Sequence, residues 1–219
     1  MLDYSLIERS IKSIMARVGT EKLRKQELIE ATIKSIENHG FQGTTIMTIS
    51  RQANMSAGII SHYFGSKQGL ILATIRHLLE QLKQGLLQQI EACEQTLTPE
   101  LRLQMIVDTN FACFQQSTSI TRTWLCFWAQ ALHDPELARL QSVNSKRLQR
   151  NLLYSYKQVI TDKAQATTAA NMTAAMIDGL WLRSSLSQGV SRDSNDSDSE
   201  FKQAQKLCKQ FIAMQCQQV

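Results

Sequence analysis

Trp124, Phe127 and Trp128 stand at i, i+3 and i+4, a spacing that puts all three on one face of a helix. Asp178 and Trp181 stand at i and i+3 within Ile-Asp-Gly-Leu-Trp-Leu-Arg, and Asn110 and Phe111 sit in a third apolar stretch with Asp108 nearby. Aromatic faces gathered around a carboxylate suit a cation that has no hydrogen-bond donors. The ring quadrupole attracts a quaternary ammonium by about 2 kcal/mol or more per contact once both are desolvated. Each aromatic taken alone is more often plain core, and Asp178 has a competing use in a salt bridge to Arg183 or another base.

A second set lies near the front of the chain. Ile60 and Phe64 are one helical turn apart, and if they face inward then Gly58, Ile59, Ser61 and His62 face out. Small and polar groups of this kind suit the major groove of DNA. Gly58 would let the backbone approach closely, Ser61 and His62 would bond base edges, and Ile59 would touch a thymine methyl. Ser56 and Ala57 open the same helix, and Tyr63 and Lys67 stand where phosphates would run. Lys67 is also expected at a helix N-terminus, where anions are favoured. Arg24, Lys25, Thr44 and Thr45 would add backbone contacts, which position a protein without reading sequence.

Enzyme chemistry finds little support. His39, His62, His77 and His133 include no His-Glu-x-x-His spacing, and there is neither a Gly-x-Ser-x-Gly nor a Gly-x-Gly-x-x-Gly. Gly65-Ser66-Lys67 lacks the glycine adjacent to lysine, and the second glycine, of a phosphate loop. No catalytic residue, metal site or cofactor is therefore expected. Cys93, Cys113, Cys126, Cys208 and Cys216 are odd in number with no Cys-x-x-Cys pair, which argues against both a disulfide framework and a zinc site. No apolar run reaches the roughly 18 residues of a membrane span. The start carries Asp3 and Glu8 rather than the apolar stretch of a secretory signal. A cytoplasmic protein with no membrane partner is the expectation.

The formal net charge is +5 over 219 residues. It is uneven: residues 1–90 carry 11 Lys and Arg against 7 Asp and Glu, while the rest carry 13 against 12. The surplus thus lies where the outward Ser-His-Tyr set lies, and an anionic partner would bind there.

The elements that must position these groups read as all-α. Residues 1–20 are expected to be an extension without fixed structure, since the weak spacing of Ile7, Ile11 and Ile14 breaks at Gly19. Residues 21–67 read as a helix-turn-helix unit and 68–219 as a helical bundle. In the first, Leu28, Ile29, Ile33 and Ile36 give one apolar face, and Gly40 takes a left-handed cap. Thr45 and Ser56 are expected N-caps for two short helices, and Asn54 takes the positive φ of the turn between them. Ser66 caps a long helix to about residue 90. Pro99, Asp134-Pro135 and Asp162 open later helices, residues 189–200 read as a loop, and Phe201, Leu207, Phe211 and Met214 share a face of the last helix. Ala166, Ala169, Ala170, Ala174 and Ala175 would permit close helix approach in a dimer.

The run 44–72, Thr-Thr-Ile-Met-Thr-Ile-Ser-Arg-Gln-Ala-Asn-Met-Ser-Ala-Gly-Ile-Ile-Ser-His-Tyr-Phe-Gly-Ser-Lys-Gln-Gly-Leu-Ile-Leu, resembles the DNA-binding signature of the TetR family of repressors. The match is densest at Ile49, Ala53, Ser56, Gly58, Ile60, Tyr63, Phe64, Lys67 and Leu70, with Asn54 where glycine is commoner. The resemblance implies a homodimer on double-stranded operator DNA, dimerised by its last helices, with a small-molecule effector in the C-terminal bundle. Residues 58–67, 123–129, 140–152 and 177–183 are similar to the choline-responsive repressors of that family. This implies choline as effector, in place of any cofactor, and genes of choline uptake and oxidation to glycine betaine as targets. A repressor of the same family with another effector, such as a lipophilic cation, is the alternative.

Overall fold

The computed structural model describes residues 4–187 and 194–217, without the side chains of 4–18, 113–114 and 194–199. Among these residues there are only helices and the turns between them. They fall into two compact units that meet between Thr74 and Ile75.

The first unit begins with α1 (Tyr4–Gly43), followed by α2 (Ile46–Gln52), α3 (Gly58–Phe64) and the opening turns of α4 (Lys67–Glu91). Residues 1–3 of the expected extension lie outside the described residues, but from Tyr4 onward the backbone is helical and passes through Gly19 without a break. One glycine costs a helix interior only about 1 kcal/mol, which neighbouring turns absorb. Gly40 is where the helix does bend, at φ 66°, a conformation that a residue with a Cβ rarely takes. Leu28, Ile36, Ile49, Ile60 and Leu70 are buried together as the core that two-turn helices need in order to persist.

Local chemistry sets the joints. Thr45 caps α2 by accepting from the amide of Thr48 at 3.1 Å, while the Thr48 hydroxyl accepts from the amide of Thr45 at 2.8 Å, a reciprocal capping box. Asn54 carries the turn at φ 52°, the only positive φ outside glycine among the described residues. Ser66 Oγ accepts from the amide of Gly69 at 3.0 Å and so caps α4. A Cβ at Gly69 would run into the carbonyl oxygen of Phe64, so this glycine is what lets α4 start hard against the end of α3. Ser56 is not the cap expected of it: its carbonyl, not its hydroxyl, accepts the first-turn amide of Ile59 at 3.1 Å, and Ala57 occupies the cap position with no side-chain bond.

The second unit holds the rest of α4, then α5 (Pro99–Asn110), α6 (Cys113–Gln116), α7 (Thr118–Ala131), α8 (Pro135–Val159), α9 (Lys163–Ser187) and α10 (Ser194–Gln217). Thr98 and Asp134 cap α5 and α8 with proline in the first turn, and Asp162 accepts from Gln165 N at 2.8 Å to open α9. Helix α8 packs on α5, α7 and α9, and α10 on α5 and α9. Two expectations change here. Ala166, Ala169, Ala170 and Ala174 are buried within the chain's own core, where small side chains let neighbouring helices close in; only Ala175 is exposed. On α10 the inward face is Phe201, Ala204, Cys208 and Ile212, whereas Leu207 and Met214 face out, because the 3.6-residue period starting at Phe201 leads to 204 and 208. Of the expected loop 189–200, residues 189–193 lie outside the described residues and 194–200 are the first turns of α10.

Candidate functional site

In the first unit α3 turns Ile60 fully inward and leaves Gly58, Ser61 and His62 exposed, with Ala57, Ile59 and Tyr63 half-buried beside them. The His62 and Tyr63 rings lie 4.9 Å apart. The amine of Lys25 stands 5.6 Å from the centre of the Tyr63 ring and pairs with Glu21 at 2.6 Å, while Arg24 is exposed. Ser56 and Thr45 are exposed, although the Thr45 hydroxyl is committed to its cap. A Cβ added at Gly58 would meet nothing within 4 Å, so nothing inside the unit calls for glycine there.

Two residues expected on the DNA surface are turned inward. Thr44 is fully buried: its hydroxyl donates to the carbonyl of Gly40 at 2.8 Å and accepts from Ser35 at 3.3 Å. A hydroxyl beside the Gly40 bend satisfies a carbonyl that the helix has lost, and that demand outweighs any outward role. The amine of Lys67 donates to the carbonyl of Thr44 at 2.9 Å and lies 5.7 Å from the centre of the Phe41 ring, so the side chain ties the head of α4 to the α1–α2 connection.

In the second unit the aromatic and acidic residues converge. Trp124 and Trp128 from α7, Asp178 and Trp181 from α9, and Asn110 from α5 line one cavity, open to solvent on one side, with about 360 Å³ of space in and over it. Trp128 and Trp181 meet edge to face at 5.4 Å and 72°, and Trp181 rests on Phe201 at 6.3 Å. The Trp124 indole N–H donates to Gln115 Oε1 at 2.9 Å, both side chains buried, which fixes the ring plane. The Trp128 Nε1–H is buried with no acceptor among the described residues, a cost of about 1–3 kcal/mol. Leu82, Gln115, Asn144 and Ile177 complete the wall and were not anticipated. They come one each from separate segments, with no shared spacing to reveal them.

Phe111 and Phe127 do not reach this wall. Both are buried in the packing core, Phe127 against Trp124 with ring centres 5.8 Å apart. A shared helix face spans a wide arc, and only its cavity side carries Trp124 and Trp128. Asp108 is drawn away as well: it accepts from Gln205 at 2.6 Å and pairs with Lys209 at 2.5 Å, joining α5 to α10.

Asp178 has neither a hydrogen bond nor an ion pair among the described residues, and Arg183 is exposed without reaching it. Asp178 is exposed overall and is also one of the residues that line the cavity. Desolvation there pushes its carboxyl from the usual 3.8 up to about 6. At neutral pH this is a carboxylate without a counter-ion that lines the same cavity as Trp124, Trp128 and Trp181.

Comparison with known proteins bears on both units. Residues 28–74 match the family of bacterial regulatory proteins of the tetR type, and residues 99–217 match the BetI-type transcriptional repressor C-terminal domain. The HTH-type transcriptional regulator BetI of Burkholderia lata is 44% identical over 80% of this chain and 89% of its own length. The regulator of that name from Proteus mirabilis is 42% identical over 92% of this chain and 96% of its own. A TetR transcription regulator from Haloarcula marismortui superimposes with a TM-score of 0.72 at 20% identity, over 88% of this chain and 98% of that one, a likeness of fold.

Proposed function

Since the chain belongs to the TetR family of DNA-binding transcriptional repressors and carries a BetI-type C-terminal domain, we propose that its effector is choline and that it governs genes for choline uptake and oxidation to glycine betaine. The observation that carries the reading is the cavity of the second unit, whose wall brings together Trp124, Trp128, Trp181 and an unpaired Asp178. A trimethylammonium group offers no hydrogen bond, so ring faces and a single carboxylate are what can hold it, at about 2 kcal/mol or more per desolvated ring. Asn110 and Gln115 supply amide groups of the kind that would receive a hydroxyl.

On DNA the working species is a homodimer. Two copies of α3 read half-sites about 34–36 Å apart, one turn of the double helix. Met172 and Leu186 on α9, with Leu207 and Met214 on α10, are apolar side chains left 37–57% exposed, a supply of surface for a second copy to cover. Choline acts by binding better to one spacing of the two reading helices than to another, and linkage requires operator affinity to change by the same factor. Helix α4, which begins beside α3 and supplies Leu82 to the cavity, is the covalent connection between the two events.

Calorimetric titration of the purified protein with choline, with glycine betaine and ethanolamine as controls, tests the effector. Saturable binding of choline alone, lost in Trp128→Ala and Trp181→Ala, is expected. Absence of binding at millimolar choline would remove the choline assignment and leave the DNA-binding repressor standing.

A further inference from the structure

A second lobe, with about 730 Å³ of space in and over its solvent-open mouth, adjoins the tryptophan cavity and shares with it Leu82, Asn110, Asn144 and Asp178. On the choline reading, the ammonium is held in the first. The second has an aliphatic wall of Leu86, Ile90, Ile106 and Leu148, and into it are set Lys83, Arg102 and Arg147. Lys83 is neutralised by Glu80 at 3.0 Å. The two arginines are not neutralised in this way, since among the described residues neither has a carboxylate within 4 Å.

Their bonds all go to neutral acceptors. Arg102 donates from Nη1 to the carbonyl of Asn151 at 2.8 Å and to Ser155 Oγ at 3.0 Å, and from Nη2 to Asn151 Oδ1 at 2.9 Å, with the Tyr154 ring 5.0 Å away. Arg147 donates from Nη1 to the carbonyl of Leu79 at 3.0 Å and from Nη2 to Asn144 Oδ1 at 3.2 Å. A guanidinium has five N–H donors, so two remain on Arg102 and three on Arg147. Burial lowers the pKa of both, and Glu80 offsets this for Arg147 only at a distance. A half-buried charge without a counter-ion is costly, and the planar fork of arginine matches a tetrahedral oxyanion in two-point contact.

We propose that the second lobe receives an anionic group carried on the same molecule as the quaternary ammonium, so that the site takes phosphate or sulfate esters of choline. This rests on the choline reading of the first lobe. The cavity has its carboxylate, Asp178, where the lobes join and its guanidiniums beyond, an order of charge that complements a cationic head followed by an anionic ester.

Titration of the full-length protein with choline, phosphocholine, phosphoethanolamine and inorganic phosphate tests it. Phosphocholine is expected to bind about tenfold tighter than choline, worth 1.4 kcal/mol, and to weaken more steeply with added salt. Arg102→Gln and Arg147→Gln should each reduce that advantage, and Arg102→Gln, whose partners Asn151 and Ser155 lie outside the first cavity, should leave choline affinity within about twofold. Because both arginines also join helices, the salt dependence in the unsubstituted protein serves as a second readout that needs no variant. Choline binding that equals or exceeds phosphocholine binding, or a phosphocholine advantage indifferent to salt and to both arginines, overturns the proposal and leaves the choline reading intact. Failure of both ligands to bind overturns the choline reading, and the proposal with it. Inorganic phosphate binding as tightly as phosphocholine would show an anion site independent of the ammonium and also overturn the proposal.

Discussion

The amine of Lys67 donates to the backbone carbonyl of Thr44 at 2.9 Å, across 23 residues of sequence. The bond clamps the head of α4 to the residue before the cap of α2, so it fixes the entry of α2 and, through the Asn54 turn, the placing of α3. Lys67 is therefore expected to act on DNA binding as a brace. In Lys67→Met, which keeps the stem and removes the donor, operator affinity should fall and the melting temperature should drop. The slope of log affinity against log salt should stay as it was. A slope shallower by about 0.9, the signature of one lost phosphate contact, would return Lys67 to the DNA surface.

Gly58 gives the opposite signature. A Cβ there meets nothing within 4 Å and the residue is helical, so Gly58→Ala should leave the free protein as stable as before or firmer by up to about 1 kcal/mol. If DNA approaches the backbone here, the same methyl should cost about tenfold or more in operator affinity, about 1.4 kcal/mol. Thermal melting and fluorescence anisotropy with labelled operator read the two separately. Undiminished affinity would place the groove contact elsewhere on α3.

The carboxyl of Asp178 titrates near 6 in the fold against 3.8 in its absence. A folded value above the unfolded one means that the native chain holds a proton the unfolded chain has released. The stability this group contributes is complete below about 3.8 and is lost as pH rises through about 6. Asp178→Asn should accordingly melt higher than the unsubstituted protein at about pH 7.5, with the gap closing towards about pH 5. Choline selects the ionised form, so its affinity should fall over the same descent in pH and vanish in the variant. Melting curves and calorimetry at the two pH values check both halves; a gap constant with pH would contradict the assignment.

The parts legible in the sequence were those where one residue's chemistry decides a local outcome. Asn54 in the turn, Thr45 and Ser66 as caps, and proline opening α5 and α8 all follow from backbone demands that few side chains meet. Tertiary competition was not legible in this way. Thr44 has a hydroxyl fit for phosphate, but a carbonyl freed at the Gly40 bend claims it. Phe127 shares a helix face with Trp124 and Trp128, yet core and cavity divide that face between them. Gln115 enters the cavity from the single-turn helix α6, too short for any period to show. Gly19 reads as a stop and is not one, because a single weak residue cannot end a helix whose neighbours continue it.

The chain has three tryptophans, and all three line the proposed effector cavity. The tryptophan emission of the whole protein, excited beyond the absorption of its tyrosines, therefore originates from the walls of one chamber. No other indole contributes a background, and no dye need be attached. Whatever enters that chamber changes the polarity around every emitter at once, so the unmodified protein is its own optical reporter of occupancy, readable in dilute solution and while bound to DNA.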